Sequence, residues 1–288
     1  MWRKSIKKYA FIAGVTFALC GTFGLINAYA GESEPEVIEI NAENFPDEAF
    51  REYVLAAVDT NDDGKLSLEE RLARKNIYVA EEGITTLKGI EYFSNLEGLN
   101  CHNNDIKELD VSMFPNLKKL YCHNCNIDTL NINNLTNIEE LIVYNNNLTD
   151  LDVSKLTKLR MLYCYENNLT ELDVSGFESL QVLLCFGNKL TKLQVSGATN
   201  LESLACSYNY LTEIDVSGLT KLEEFECYCN NLTTLNLEGL VSLDYLYCEY
   251  NELTELTISN LENFTELDCS NNNLTKLTLS NVDNLMDV

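Results

Sequence analysis

A chain of 288 residues has room for one or two ordinary domains, and this one is strongly acidic: 45 Asp and Glu against 20 Lys and Arg, a formal charge of −25. Such a charge repels nucleic acid and anionic lipid and favours solubility and cations, which argues against a nucleic-acid or membrane-surface role. Eleven cysteines would suggest disulfides in a secreted chain, unless their spacing gives them another task.

Residues 1–30 open with Arg3, Lys4, Lys7 and Lys8, continue with an apolar run over 11–26 and end on Ala28-Tyr29-Ala30. This is the pattern of a secretory signal peptide with a small-x-small cleavage site. The run is slightly long, and the alternative reading is a retained membrane anchor. Cys20 follows Leu19, where a lipoprotein needs a small residue, so lipidation is not expected. Cleavage would remove four cations and no anion, moving the charge from −25 to −29. Residues 31–41 form a short acidic leader.

Residues 42–75 read as a helical cap. Asn44 can cap the helix, Pro46 sits near its first turn, and Phe45, Phe50, Tyr53, Val54 and Val58 fall on one face. The helix runs into residues 59–70, DTNDDGKLSLEE, which fit the EF-hand calcium loop D-x-[DN]-x-[DN]-G with glutamate at position twelve. Calcium is a hard cation that takes six to eight oxygens. Asp59, Asn61 and Asp63 would supply side-chain oxygens, Lys65 its carbonyl, Ser67 a direct or water-mediated contact, and Glu70 both carboxylate oxygens. Gly64 would allow the sharp turn and Leu66 would anchor the loop. A single unpaired loop suits a structural site better than a groove-opening switch, with weak affinity, about 10⁻⁴–10⁻³ M, if it lies outside the cell. The alternative is an acidic turn that merely fits.

Residues 74–95 form a degenerate opening repeat with Ile77, Val79, Ile84, Leu87, Ile90 and Phe93 inward; terminal repeats are atypical because they close one face of a stack. Residues 96–284 are then nine back-to-back copies of a 21-residue unit, L-x-x-L-x-C-x-x-N-x-L-T-x-L-D-V-S-x-x-L-x. In-register repetition at this period is the signature of a leucine-rich-repeat solenoid. The expected fold is a curved parallel sheet on the concave face, with extended or 3₁₀ segments on the convex side. Residues 285–288 begin a tenth repeat.

Cysteine recurs in step at Cys101, Cys122, Cys164, Cys185, Cys206, Cys227, Cys248 and Cys269, and Val143 alone interrupts the ladder. Residues one repeat apart lie on neighbouring parallel strands, about 4.8 Å apart, so these side chains all point into the core. Disulfides need particular Cβ vectors and torsions that such a stack does not obviously offer. Buried free cysteine packs as a small apolar residue. A thiol-rich exported chain suits a reducing or anaerobic habitat. Position nine of the unit is asparagine in eight copies, and its amide can satisfy backbone groups where the chain leaves the strand.

The same register sends the other strand residues to the concave face. Ile142, Tyr144, Met161, Tyr163, Tyr165, Val182, Leu184 and Phe186 come from three consecutive strands, with Tyr121 before them and Tyr228 and Tyr247 after. Apolar surface rich in tyrosine marks interaction sites; the alternative is cross-strand stacking that only stabilises the sheet. Further along, the face turns acidic at Glu224, Glu226, Glu249, Glu266 and Asp268. Neither histidine has a nucleophile placed by a recognisable motif. A Gly-rich phosphate loop, a C-x-x-C zinc pair framework and H-E-x-x-H do not occur, so no enzyme is expected. Cys122-His123-Asn124-Cys125 looks like a metal fragment, but Cys122 belongs to the inward ladder. The N-L-T triplets at Asn147, Asn168, Asn231 and Asn273 fit a glycosylation pattern and are more simply repeat letters.

These cysteine-ladder repeats resemble those of internalin J-type bacterial surface proteins. The unit over 44–70, followed by Gly83-Ile84-Thr85-Thr86-Leu87-Lys88-Gly89-Ile90-Glu91-Tyr92-Phe93, is similar to secreted leucine-rich-repeat proteins of gut Gram-positive bacteria. The resemblance implies a secreted or cell-surface, adhesin-like monomer whose concave face binds a protein or glycan of a host or bacterial surface. Two other readings stand beside it. The array could be the recognition region of a larger protein whose anchor or catalytic part lies beyond Val288, or it could self-associate.

Overall fold

The computed structural model describes residues 37–286; the signal segment and the first part of the acidic leader lie outside them. Strand β1 (Val37–Glu39) pairs antiparallel with β2 (Lys65–Ser67) and helix α1 (Glu48–Ala57) lies between them in sequence. The end of the leader is therefore structured, because Ile38 buries its side chain in the core. Asp47, and not Asn44, caps α1. Its Oδ1 accepts from Phe50 N at 3.1 Å, whereas Asn44 donates its amide to the Glu39 carbonyl. Phe50 and Val54 are the buried face of α1. Helix α2 (Leu68–Ala73) follows β2 and starts on a capping box between Ser67 and Glu70.

Each later turn opens with a concave strand, and several add a short one at the back. In chain order these are β3 (Asn76–Tyr78), β4 (Gly98–Asn100), β5 (Glu108–Asp110), β6 (Lys119–Tyr121), β7 (Thr129–Asn131) and β8 (Glu140–Ile142). Next come β9 (Met161–Tyr163), β10 (Glu171–Asp173), β11 (Val182–Leu184), β12 (Lys192–Gln194) and β13 (Ser203–Ala205). The series closes with β14 (Glu224–Glu226), β15 (Tyr245–Tyr247), β16 (Glu255–Ser259), β17 (Glu266–Asp268) and β18 (Lys276–Ser280). Ten of them form one parallel sheet in the order β3-β4-β6-β8-β9-β11-β13-β14-β15-β17. Parallel two-strand ladders β5-β7, β10-β12 and β16-β18 lie on the convex side. Extended backs are what a 21-residue turn allows, since little chain is left for a helix.

The register is that of the repeat. Leu162 faces Leu141 and Leu183, and the inward leucines and cysteines stack without interruption. Cys101, Cys122, Cys164, Cys185, Cys206, Cys227 and Cys248 are buried and free. Val143 fills the same row. The position-nine asparagines lock each turn to its predecessor. Asn188 donates to the carbonyls of Cys164 and Cys185 at 3.0 Å each and accepts from Leu169 N at 3.0 Å. Cys125 stands at this position in the second repeat, and its thiol keeps the donor role toward the Cys101 carbonyl.

One residue earlier, every turn leaves the strand through the left-handed region, at Asn103, Asn124, Asn145, Glu166, Gly187, Tyr208, Cys229, Tyr250 and Asn271. Asparagine and glycine tolerate that conformation best. On the back, the D-V-S letters are turns in which Asp110, Asp152, Asp173 and Asp215 accept from the amide two residues on.

Candidate functional site

The concave sheet and the cap loop hold the residues on which function was expected to rest. In the sheet, alternation sends the third, fifth and seventh residues of each repeat outward. The seventh row begins with five rings on successive strands: His102, His123, Tyr144, Tyr165 and Phe186. They stack face to face, with centroids 4.5, 4.3, 4.3 and 4.4 Å apart and planes within 19° of parallel. The strand spacing, about 4.8 Å, sets this pitch, so identical register produces a ring column along the solenoid axis. Ser207 ends the column. Beyond it, Tyr228 turns edge-on to Tyr208 at 5.2 Å.

Burial shapes the chemistry of this face. Tyr121, Ile142, Tyr163, Val182, Leu184, Phe186 and Tyr247 are buried, Ile142 to 3 % exposure, while Tyr144, Met161, Tyr165 and Tyr228 are half-buried. The expectation of broadly exposed apolar side chains is corrected here, because neighbours one strand apart cover each other's flanks. Burial pushes the Tyr144 and Tyr165 phenols above their ordinary value. It also pushes His123 down to about 3, so that ring is neutral at physiological pH. His102 is lowered by burial as well, and its Nδ1 lies 2.6 Å from Asn100 Oδ1. Tyr121 hydrogen-bonds Glu140, which also pairs with Lys119 at 2.7 Å.

The two histidines therefore belong to the ring column. The signal was present in the repeat register, where five consecutive seventh positions are aromatic, but stacking geometry had to come from the fold. The concave residues singled out from sequence divide into this column, the buried fifth-row residues beside it, Met161 and Val182 of the third row, and Tyr228 and Tyr247 further along.

In the cap, residues 59–70 form a tight loop. Asp59 is nearly buried, and its two oxygens accept from Asp63 N at 3.3 Å and Gly64 N at 2.8 Å. Asn61 Oδ1 accepts from Asp63 N at 3.1 Å, and Asp63 Oδ1 accepts from Lys65 N at 2.9 Å. Gly64 has φ +73°, the left-handed turn glycine suits. Leu66 is buried. Glu70 has both carboxylate oxygens engaged within the loop. Its Oε1 accepts from Thr60 N and Oγ1 at 2.7 Å each, and Oε2 accepts from Ser67 N and Oγ at 2.9 and 2.8 Å. Burial pushes this carboxyl up, but the four hydrogen bonds outweigh it and hold the pKa down to about 2.

Among the described residues, no three His, Cys, Asp or Glu side chains converge in metal-holding geometry. The donor chemistry of the loop nevertheless fits a hard cation: oxygen-bearing side chains at Asp59, Asn61 and Asp63 in one bend, a backbone carbonyl at Lys65, and a fixed carboxylate at Glu70.

Comparison with known proteins follows the same lines. The family model of the leucine-rich-repeat domain of the endo-β-N-acetylglucosaminidase EndoS matches residues 45–176. The functional domain of InlJ from Listeria monocytogenes, a structure described as including a cysteine ladder, is 32% identical with a TM-score of 0.71. That match covers 88% of this chain and 63% of the other.

The chain folds as a cysteine-ladder leucine-rich-repeat solenoid.

The leucine-rich-repeat domain of APL1B shares the fold alone, at 21% identity and a TM-score of 0.57 over 69% of this chain and 62% of that one. No curated protein matches the sequence. This leucine-rich-repeat chain thus spans 63% of the length of the InlJ structure it resembles. Among its described residues, no helix is long and apolar enough to cross a membrane.

Proposed function

We propose that this leucine-rich-repeat protein is a secreted or cell-surface binding module, adhesin-like and non-enzymatic, that engages a surface protein or glycan with its concave sheet. The observation that carries the reading is the ring column from His102 to Phe186, flanked by half-buried Met161 and Tyr228 on one continuous ten-stranded sheet. Ring edges and tyrosine hydroxyls are suited to mixed apolar and polar contact. Stacked on their neighbours, they lose little conformational entropy on binding, which favours affinity. The calcium ion belongs to the same proposal as a structural element: Asp59, Asn61, Asp63, Lys65, Ser67 and Glu70 would hold it in the cap.

The test is capture of surface components from host or bacterial cells by the intact protein. A Tyr163→Ser/Tyr165→Ser/Phe186→Ser variant serves as comparison, with its melt recorded to confirm folding. Capture by the native protein and its loss in a folded variant are expected; equal capture by both would overturn the concave reading. A second reading, a recognition region within a larger enzyme, is favoured by the match to the leucine-rich-repeat domain of an endoglycosidase. The intact mass of the protein isolated from its source separates the two, since a mass well above 32.6 kDa would support the larger enzyme.

A further inference from the structure

Beyond the ring column, the concave sheet changes character. Repeat six contributes the small residues Ser203 and Ala205 from β13, and then Ser207, where repeats two to five carry larger side chains. The next three strands alternate acid and tyrosine. In the third row, Glu224 lies beside Tyr245 and Tyr245 beside Glu266; in the fifth row, Glu226 lies beside Tyr247 and Tyr247 beside Asp268. The seventh row adds Glu249. The outward positions of repeats six to nine include no lysine or arginine.

We propose that this half of the concave sheet is a distinct site for an extended, lysine- or arginine-bearing peptide segment of a partner protein. Three observations carry it. The lining offers carboxyl groups and no lysine or arginine, with Glu224, Glu226 and Glu249 largely buried in the sheet, where a low-dielectric surround focuses the field of a carboxylate. Tyr245 and Tyr247 each stand between two acids of their row, so a cation seated there meets a tyrosine ring and carboxylates together, and the two ring centroids lie 5.1 Å apart. Ser207 borders the patch on the outward side of its strand, 1 % exposed, with no hydrogen-bond partner for its hydroxyl. A buried polar atom left unsatisfied is costly in a native fold and calls for an account, such as a strained or functional site or a bound water or ion; the proposed peptide supplies the functional one. Acids two strands apart in one row are separated by about 9.6 Å. That is close to the advance of three residues in an extended polyproline-type peptide, about 9.3 Å, so basic residues spaced three apart match the row.

This inference rests on the concave face being a binding surface and differs in place and chemistry from the ring column. The test is the affinity of the purified protein for a short fluorescent oligolysine peptide, read by anisotropy. Glu226→Gln/Glu249→Gln/Asp268→Asn is compared with Asp152→Asn/Asp173→Asn/Asp215→Asn, which changes the net charge equally on the convex side. Circular dichroism verifies both folds. Binding is expected to weaken about tenfold or more in the concave variant and less than about twofold in the convex one. Equal losses, or none, would show diffuse attraction to an acidic protein and overturn the site. Tyr144→Ser/Tyr165→Ser should leave oligolysine binding unchanged. Surface capture that persists in that variant while oligolysine binding still depends on the acidic rows would therefore fault the general reading alone; capture lost in it with no acid-dependent oligolysine binding would fault this one alone.

Discussion

Asn188 shows what a single repeat letter does. Its amide closes three hydrogen bonds in the core between two turns; removing it strands the Leu169 amide away from water and takes one of two donors from each of the Cys164 and Cys185 carbonyls, which keep Asn167 and Asn209. An unsatisfied buried group costs about 1–3 kcal/mol. Asn188→Ala should therefore lower stability by roughly 3 kcal/mol in denaturant unfolding, while Asn231→Ala, exposed and outside the left-handed region, should stay within about 0.5 kcal/mol. Equal effects would mean that the asparagine ladder is not a structural lock. His123 makes a second point at this scale. Its folded pKa of about 3 lies below the ordinary 6.5, so the unfolded chain takes up a proton that the native ring refuses. Stability is then lost as pH falls from 6.5 toward 3. His123→Phe keeps a ring in the column and removes that loss. The stability difference between variant and native protein should widen steadily below pH 6.5, and parallel curves would refute the buried, neutral histidine.

At the scale of elements, the cap shows how local letters can serve two ends. Ser67-x-x-Glu70 is both the tail of a calcium-loop pattern and a capping box, and in the fold its carboxylate holds Thr60 and Ser67. Asn44 and Asp47 are both good capping residues by type. The choice fell to Asp47 because its second oxygen accepts from Thr85 N at 2.8 Å and Oγ1 at 3.0 Å, tying the helix to the opening repeat. No local pattern carries a contact across 38 residues of chain. For the calcium proposal, binding to the native loop alone would raise stability by mass action, about 0.4–1.4 kcal/mol at about 1 mM calcium for weak extracellular affinity. A chelator should lower the melting temperature of the native protein and leave that of Asp59→Ala unchanged. Calcium-independent melts of the native protein would refute the ion.

At the scale of the whole molecule, the solenoid was legible because repetition at 21 residues aligns every inward leucine and cysteine on one side of a strand. The concave rows were legible for the same reason. Their packing was not: whether neighbouring rings stack or point into solvent depends on strand spacing and rotamer, and these appear only when the turns are assembled. The column and the acid–tyrosine rows divide one sheet into two surfaces of different chemistry, both facing the same hollow. Tyrosine footprinting of the protein with and without a captured surface partner tests that account most directly. Tyr165 and Tyr228 are predicted to lose reactivity in the complex while Tyr210, exposed beyond the strand edge, keeps it. Protection of Tyr210 with Tyr165 and Tyr228 unchanged would contradict a concave binding surface.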